Sequence, residues 1–277
     1  MKHRINSNFI LILVMLAGLS LLLYPSVGDW WNSKHQSRAI ISYSQAIEGV
    51  DAAVYEQVRT SAQAYNAAIP WDKSRFEMTE EERKEYNAEL NLAGDNIMGI
   101  IEIPDLGLEL PIYHGTSEAV LQVAIGHVEG TSLPVGGEGT HCALSGHRGL
   151  PSARLFTDID KLMEGDIFLM HVLDETLTYQ VDQILIVKPY ELDGLDFEEG
   201  KDYCTLVTCT PYGINTHRLL VRGVRIETVE EKAPVYVTAD AGQIDTVIVA
   251  SAIAAPVLLI LILRVALYDP KKNSGKK

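Results

Sequence analysis

Leu177-Thr178-Tyr179-Gln180-Val181-Asp182-Gln183-Ile184-Leu185-Ile186-Val187 is the longest strand-like run in the chain. Leu177, Tyr179 and Val181 alternate with polar neighbours, the period of two that lays one face of a β-strand on an apolar core. Six shorter runs of similar texture surround it, at 97–103, 108–112, 141–145, 167–172, 204–209 and 218–226. Glycine and proline separate them and few helical patterns intervene. Short strands spaced by turn signals predict a mainly β domain, closed or nearly closed into a barrel. Neither an internal repeat nor a low-complexity tract interrupts it.

Upstream, Ile40, Ile47, Val50, Val54, Val58 and Ala62 recur at spacings near three and four, which predicts an amphipathic helix over about 33–66. Pro70-Trp71-Asp72 follows as a turn, and Thr79-Glu80-Glu81-Glu82 carries the capping pattern of a short surface helix running to about Leu90.

The ends differ from the middle. Phe9 to Leu23 is almost unbroken apolar sequence behind Lys2, His3 and Arg4, and Thr246 to Leu263 is a second such run followed by Arg264 and four lysines. A bilayer core takes about 20 residues of helix, so the second run is long enough to span and the first lies at the lower limit. Cations on the outer flank of each run predict both termini in the cytoplasm and the middle outside. The first run also has the make-up of a cleaved secretory signal, an alternative that exports the domain equally well. Between the runs, residues 25–244 hold 16 Lys and Arg against 35 Asp and Glu, a net charge of −19. Such a balance excludes a phosphate-tracking nucleic-acid binder. It suits solubility, or attraction of an amine-bearing substrate.

Three cysteines in an exported chain leave at least one unpaired. Cys142 lies five residues before His147 and Cys204 five before Cys209, so parallel strands ending at one site would hold these two at similar depth. A disulfide or two buried thiols would satisfy that spacing, with buried thiols favoured. Cys209 is the odd thiol, and it ends a strand. The sheet fixes its backbone, which gives a nucleophile the placement that attack on a carbonyl needs, and a nearby imidazole or guanidinium would favour the thiolate. His147, in Ser145-Gly146-His147-Arg148-Gly149, is the candidate to protonate a departing amine and deprotonate an incoming one. Arg218 opens the 218–226 run and keeps its charge at any relevant pH, so it can face a developing oxyanion.

Thr205-Leu206-Val207-Thr208-Cys209, the Gly-His-Arg-Gly turn and Asn215-Thr216-His217-Arg218-Leu219-Leu220-Val221-Arg222-Gly223 resemble the motifs of the sortases. Ile97 to Pro104, Pro111 to Thr116, Gly126 to Pro134, Leu155 to Asp158 and Gly165-Asp166 narrow the resemblance to class C, the pilin-polymerising sortases. It is dense over about 90–226. It implies an eight-stranded sortase-type β-barrel, with Cys209 as nucleophile, His147 as acid and base, Arg218 as oxyanion stabiliser, and Thr205, Leu206 and Thr208 along the substrate groove. It implies attack on the Thr–Gly bond of an LPXTG-like sorting signal, a thioacyl enzyme, and resolution by a pilin lysine amine, with no metal or organic cofactor. Partners would be LPXTG-bearing pilin or surface proteins, an amine acceptor and the membrane.

The expected organisation is a cytoplasmic N-terminus (1–8), a transmembrane segment or signal anchor (9–24) and an extracytoplasmic helical region (25–68). A lid with its connecting helix (69–90) and the catalytic barrel (91–230) follow, then a linker (231–245), a C-terminal transmembrane helix (246–267) and a basic tail (268–277). Class C sortases have a lid whose Asp-Pro-aromatic tip enters the active site. Here Ile69 precedes Pro70-Trp71; isoleucine cannot pair with Arg218, and Asp72 could only at a reshaped tip. A Trp-capped lid, with Trp71 over Cys209, is the expectation, and a Pro-Trp turn packed on the barrel is the alternative. His114, His127, His141 and Cys142 fit no zinc-site spacing. The acidic stretch from Asp193 to Asp202 lacks the alternation of a dedicated calcium loop. Two other functions stay open: a housekeeping-type sortase that uses a peptidoglycan-precursor amine, and a catalytically silent membrane-tethered barrel.

Overall fold

A computed structural model describes residues 7–228, 254 and 256–264. Eight strands close a barrel in the order β1-β2-β3-β4-β7-β8-β6-β5. They are β1 (Ile97–Ile103), β2 (Leu108–Tyr113), β3 (Ile125–His127), β4 (Thr140–Ser145), β5 (Ile167–Val172), β6 (Glu175–Val187), β7 (Asp202–Thr210) and β8 (His217–Ile226). Seven correspond to runs visible in the sequence. The eighth, β3, is too short to show a period, and it joins β2 in parallel and β4 antiparallel. Its Gly126 is required: a Cβ there would lie 2.2 Å from the Gly115 carbonyl oxygen.

The barrel interior is filled by alternate side chains, among them Ile101, Ile112, Leu144, Phe168, Tyr179, Leu206 and Val221. Cys142 and Cys204 are buried free thiols and direct register partners on parallel β4 and β7. Burial pushes the Cys204 thiol well above its ordinary range. A bulge between Val181 and Gln183 shifts the alternation of β6, so the 183–187 half lies on the outside of the barrel beside β8 rather than in the core.

The helical region departs from its expected form. Instead of one helix over 33–66 there are two, α1 (Ser7–Ile47) and α2 (Ala52–Ala68). Gly49, at φ +81, turns the chain between them, and Asp51 caps α2 by accepting from the Ala53 amide. The first apolar run thus belongs to a 41-residue helix. Its last turns lie on β1, where the Tyr43 hydroxyl donates to the Met98 carbonyl at 3.2 Å and accepts from the Leu173 amide at 2.9 Å. α3 (Glu80–Ala88) starts on a Thr79–Glu82 capping box. A short helix α4 (Glu118–Leu121) precedes β3. Among the described residues one helix, α1, is long and apolar enough to cross a membrane. Of the expected C-terminal span 246–267, residues 254 and 256–264 are helical. The rest of that span lies outside the described residues, as do most of the N-terminus (1–8), the linker (231–245) and the tail (268–277).

Candidate active site

Register brings the three predicted reactive residues to one place. Cys209 on β7 and Arg218 on β8 are direct antiparallel partners, which puts their side chains on the same face with Cβ atoms about 5 Å apart. On the other side of β7, Ser145 at the end of β4 pairs with Val207. His147 and Cys209 each lie two residues further on. Two hydrogen bonds lock these chain ends together: Gly146 N–H donates to the Val207 carbonyl at 3.1 Å, and Thr208 Oγ1 donates to the Gly146 carbonyl at 2.7 Å. Gly146 itself admits no side chain, since a Cβ would meet Ile125 Cδ1 at 2.6 Å and the Phe156 ring at 2.8 Å. The backbone register therefore brings the positions of His147, Cys209 and Arg218 to one end of β4, β7 and β8.

Cys209 is partly exposed, as a nucleophile must be. The His147 Nε2 is buried without a hydrogen-bond partner, and Glu118 Oε2 stands 3.8 Å from it. Glu118 was not singled out in the sequence; an exposed acid on a four-residue helix has no signature of its own. Arg218 donates only to backbone carbonyls, those of His217 (3.2 Å) and Asn215 (3.4 Å). Its guanidinium has no acid partner among the described residues. The neighbouring Arg148 pairs with Asp160, donates to Thr210 Oγ1 at 3.3 Å and lies over the Tyr212 ring. It braces the turn rather than facing the thiol.

The groove residues divide. Leu206 points into the barrel core, and Thr208 is buried and committed to Gly146. Thr205 faces outward but is covered, its hydroxyl 2.7 Å from His141 Nε2. The cover is the connection 188–201 between β6 and β7, which runs from the Cys209 end back along β7 to its start. A cleft of about 500 Å³ lies between that connection and the outer face of β6 and β8, lined by Leu185, Val187, Asp193, Asp196, Phe197 and Arg222. Val187, at one end of the cleft, is the register partner of Arg218.

The 69–77 segment is elsewhere than expected. The Trp71 ring packs edge-on against Phe197 at 5.8 Å and lies beside Gly139. Gly139 bonds to Lys201, just before β7, and Cys209 is eight residues further along the strand. At about 3.3 Å per residue that is roughly 26 Å. Trp71 does not cover Cys209. Asp72 caps a short 3₁₀ turn (Lys73–Phe76) by accepting from the Ser74 amide, and does not meet Arg218. Ile69 is buried, so at that position packing replaces the acid. The holding contact, unforeseen in the sequence, is Arg75. Its side chain is fully buried between the Phe76 and Phe197 rings, each 4.6 Å away. It donates to the carbonyls of Trp71, Asp72 and Leu195. Lys73 adds ion pairs to Asp193 and Asp196. The segment clasps the 188–201 connection at the far end of the groove.

The histidines outside the site are held by ordinary bonds. His114 contacts the Glu89 and Asn96 carbonyls, His127 the Tyr86 hydroxyl and the Ser132 carbonyl, and His141 the Asp196 carbonyl and Thr205. Among the described residues no group of three His, Cys, Asp or Glu is placed to hold a metal.

A closed eight-stranded barrel with this trio at the end of β4, β7 and β8 can be set beside known proteins. The Sortase domain family matches residues 101–226. Sortase A of Bacillus anthracis is 30% identical over 145 residues, which are 52% of this chain and 67% of that protein. This chain belongs to the sortase family. Its barrel superposes on sortase C1 of Streptococcus agalactiae with a TM-score of 0.67 and 52% identity, over 69% of this chain and all of that one. Sortase C of Streptococcus pneumoniae gives 0.62 and 44%, over 69% and 97%. These class C sortases are the likeness the motifs pointed to. The chain is thus a sortase with a class C barrel, and sortases are cysteine transpeptidases.

Proposed function

We propose that this sortase is anchored in the membrane by α1, cuts an LPXTG-like sorting signal and joins it to a pilin lysine, polymerising pili. The observation that supports the chemistry is the register that pairs Cys209 with Arg218 and brings His147, two residues past Ser145, to the same end of the barrel. The likeness to sortases C at 44–52% identity supports the pilin substrate.

In this reading the Cys209 thiolate attacks the threonine carbonyl carbon. The C–O π pair moves to oxygen, and Arg218, whose guanidinium has no acid partner among the described residues, faces that charge. The C–N bond to glycine breaks as protonated His147 gives its proton to the leaving amine. A thioester and neutral His147 remain. The lysine amine then attacks the thioester and gives its proton to His147, and the C–S bond breaks to return the thiolate and leave an isopeptide. Glu118 Oε2, 3.8 Å from Nε2, is the acid nearest the ring and can orient it. Removing one oxyanion donor typically costs about a hundred- to a thousandfold in rate.

The test is to incubate the full chain in detergent with a sorting-signal peptide and a lysine-bearing pilin domain. A peptide–lysine isopeptide, absent with Cys209→Ala, supports the reading. Peptide that is only hydrolysed, or joined only to a peptidoglycan-type amine, overturns the pilin assignment.

A further inference from the structure

The position of α1 against the barrel says which way the reactive end faces. From Ile5 to Gly28 the chain carries no charged residue, and a bilayer core takes about 20 residues of helix. Tyr24, Trp30 and Trp31 follow, all more than half exposed, the aromatic belt expected at a membrane–water boundary. Lys34 lies one turn beyond, over the Trp30 ring. The barrel meets the helix at this level. Gly28 touches Ser152, Asn32 Nδ2 donates to the Ser152 carbonyl at 2.9 Å, and Gln36 Nε2 donates to the Val123 carbonyl at 2.8 Å.

Ser152 lies in the loop that leaves His147, and Val123 lies between α4, which carries Glu118, and β3. The helix therefore passes the reactive end of the barrel on its way into the bilayer, while its last turns rest on β1. At 1.5 Å per residue, Gln36 is only about 18 Å beyond Tyr24 along the helix axis. That end is also apolar where solvent should favour polar groups. Tyr212 is 61% and Ile214 68% exposed on the loop between β7 and β8, and Val123 is 38% exposed. Tyr212 abuts Gly149, so these residues join the Ser152 loop and the helix in one rim. A cleft of about 610 Å³, lined by Leu23, Tyr24, Val27 and Trp31 on one side and Val123 on the other, opens between helix and barrel.

We propose that this rim rests on the bilayer surface, with Tyr212 and Ile214 in the headgroup layer and lipid chains filling the cleft against Val123. Lipid is the occupant because the cleft is continuous with the apolar face of the spanning helix. The inference rests on the reading of α1 as a membrane anchor. It means that the scissile bond is processed at the membrane face, and that the groove under the 188–201 connection runs away from the bilayer.

The test places an environment-sensitive fluorophore at Ile214→Cys or at Lys201→Cys, both in the full chain carrying Cys209→Ala. The chain is reconstituted in phosphatidylcholine–phosphatidylglycerol vesicles with or without brominated acyl chains. The expected result is blue-shifted emission quenched by bromine at position 214, and water-like, unquenched emission at position 201, on the opposite end of the barrel. Equal emission at the two positions in a chain that floats with the vesicles overturns the proposal and leaves the anchor reading standing. A chain that fails to float overturns both. As a second measurement, Ile214→Asp is expected to slow cleavage of a lipid-tethered sorting peptide while leaving cleavage of the free peptide unchanged. Equal rates on the tethered peptide, or equal losses on both, count against it.

Discussion

Acid should loosen the roof of the groove through one buried ring, that of His141. Its Nδ1 is 2.9 Å from the Asp196 carbonyl, which can only accept, so Nδ1 carries the proton and Nε2 accepts from Thr205 Oγ1 at 2.7 Å. The ring joins the floor of the groove, β4 and β7, to the 188–201 connection. Burial holds its pKa down to about 4 from the usual 6.5, and the nearby Arg222 and Arg75 charges act in the same direction. The Asp196 carbonyl and Asp182 oppose them. Because the folded pKa lies below the unfolded one, the unfolded chain takes up the proton first. The stabilisation is complete above pH 6.5 and is lost as pH falls through 6.5 towards 4. One pKa unit corresponds to 1.36 kcal/mol, so about 2 kcal/mol is lost by pH 5 and about 3 kcal/mol by pH 4. His141→Gln keeps a donor and an acceptor but cannot titrate. Urea unfolding of both proteins by circular dichroism, from pH 7.5 to 4.5, should show the parent losing this amount more than the variant. Parallel profiles would refute the reasoning, and would mean that water reaches the ring.

Arg218→Ala is expected to lower kcat for the sorting peptide by about two to three orders of magnitude with the thiol still present, measured by steady-state kinetics and by thiol titration. Trp71→Ala should leave the alkylation rate of Cys209 unchanged, because the ring lies at the other end of β7; a faster rate would show that it does reach the thiol. Arg75→Ala removes the buried cation that holds the 188–201 connection, so limited proteolysis should cut that connection first, with the barrel strands still protected. Gly146→Ala forces a methyl into Ile125 and Phe156, and is expected to cost about 1–3 kcal/mol of stability and most of the activity through displacement of His147.

The candidate reactive residues could be picked out because each carries its chemistry in its type and each lies at or near the end of a strand whose alternation is local. Register then brings the positions of Cys209, His147 and Arg218 to one end of the barrel. Glu118 and Arg75 were not legible. An acid on a short exposed helix and a cation in a charged stretch both read as solvated, and only burial between Phe76 and Phe197 makes Arg75 a structural centre. Trp71 was misplaced for a related reason. Its motif implied a ring over the thiol, but the path of its segment is set by Arg75 and Lys73 gripping a connection more than a hundred residues away in the chain.

The amino-acid sequence alone determined what repeats over a few residues: seven strands, the apolar first run and the α3 cap. Those follow from side-chain period and backbone chemistry, which act between near neighbours. Tertiary structure decided the entry of three-residue β3, the outward turn of Leu185 and Val187 after the bulge, the burial of Leu206 and Thr208, and the docking of α1 beside Ser152. Each depends on which distant segment closes against which, and that is a matter of shape complementarity across the barrel which no local pattern contains.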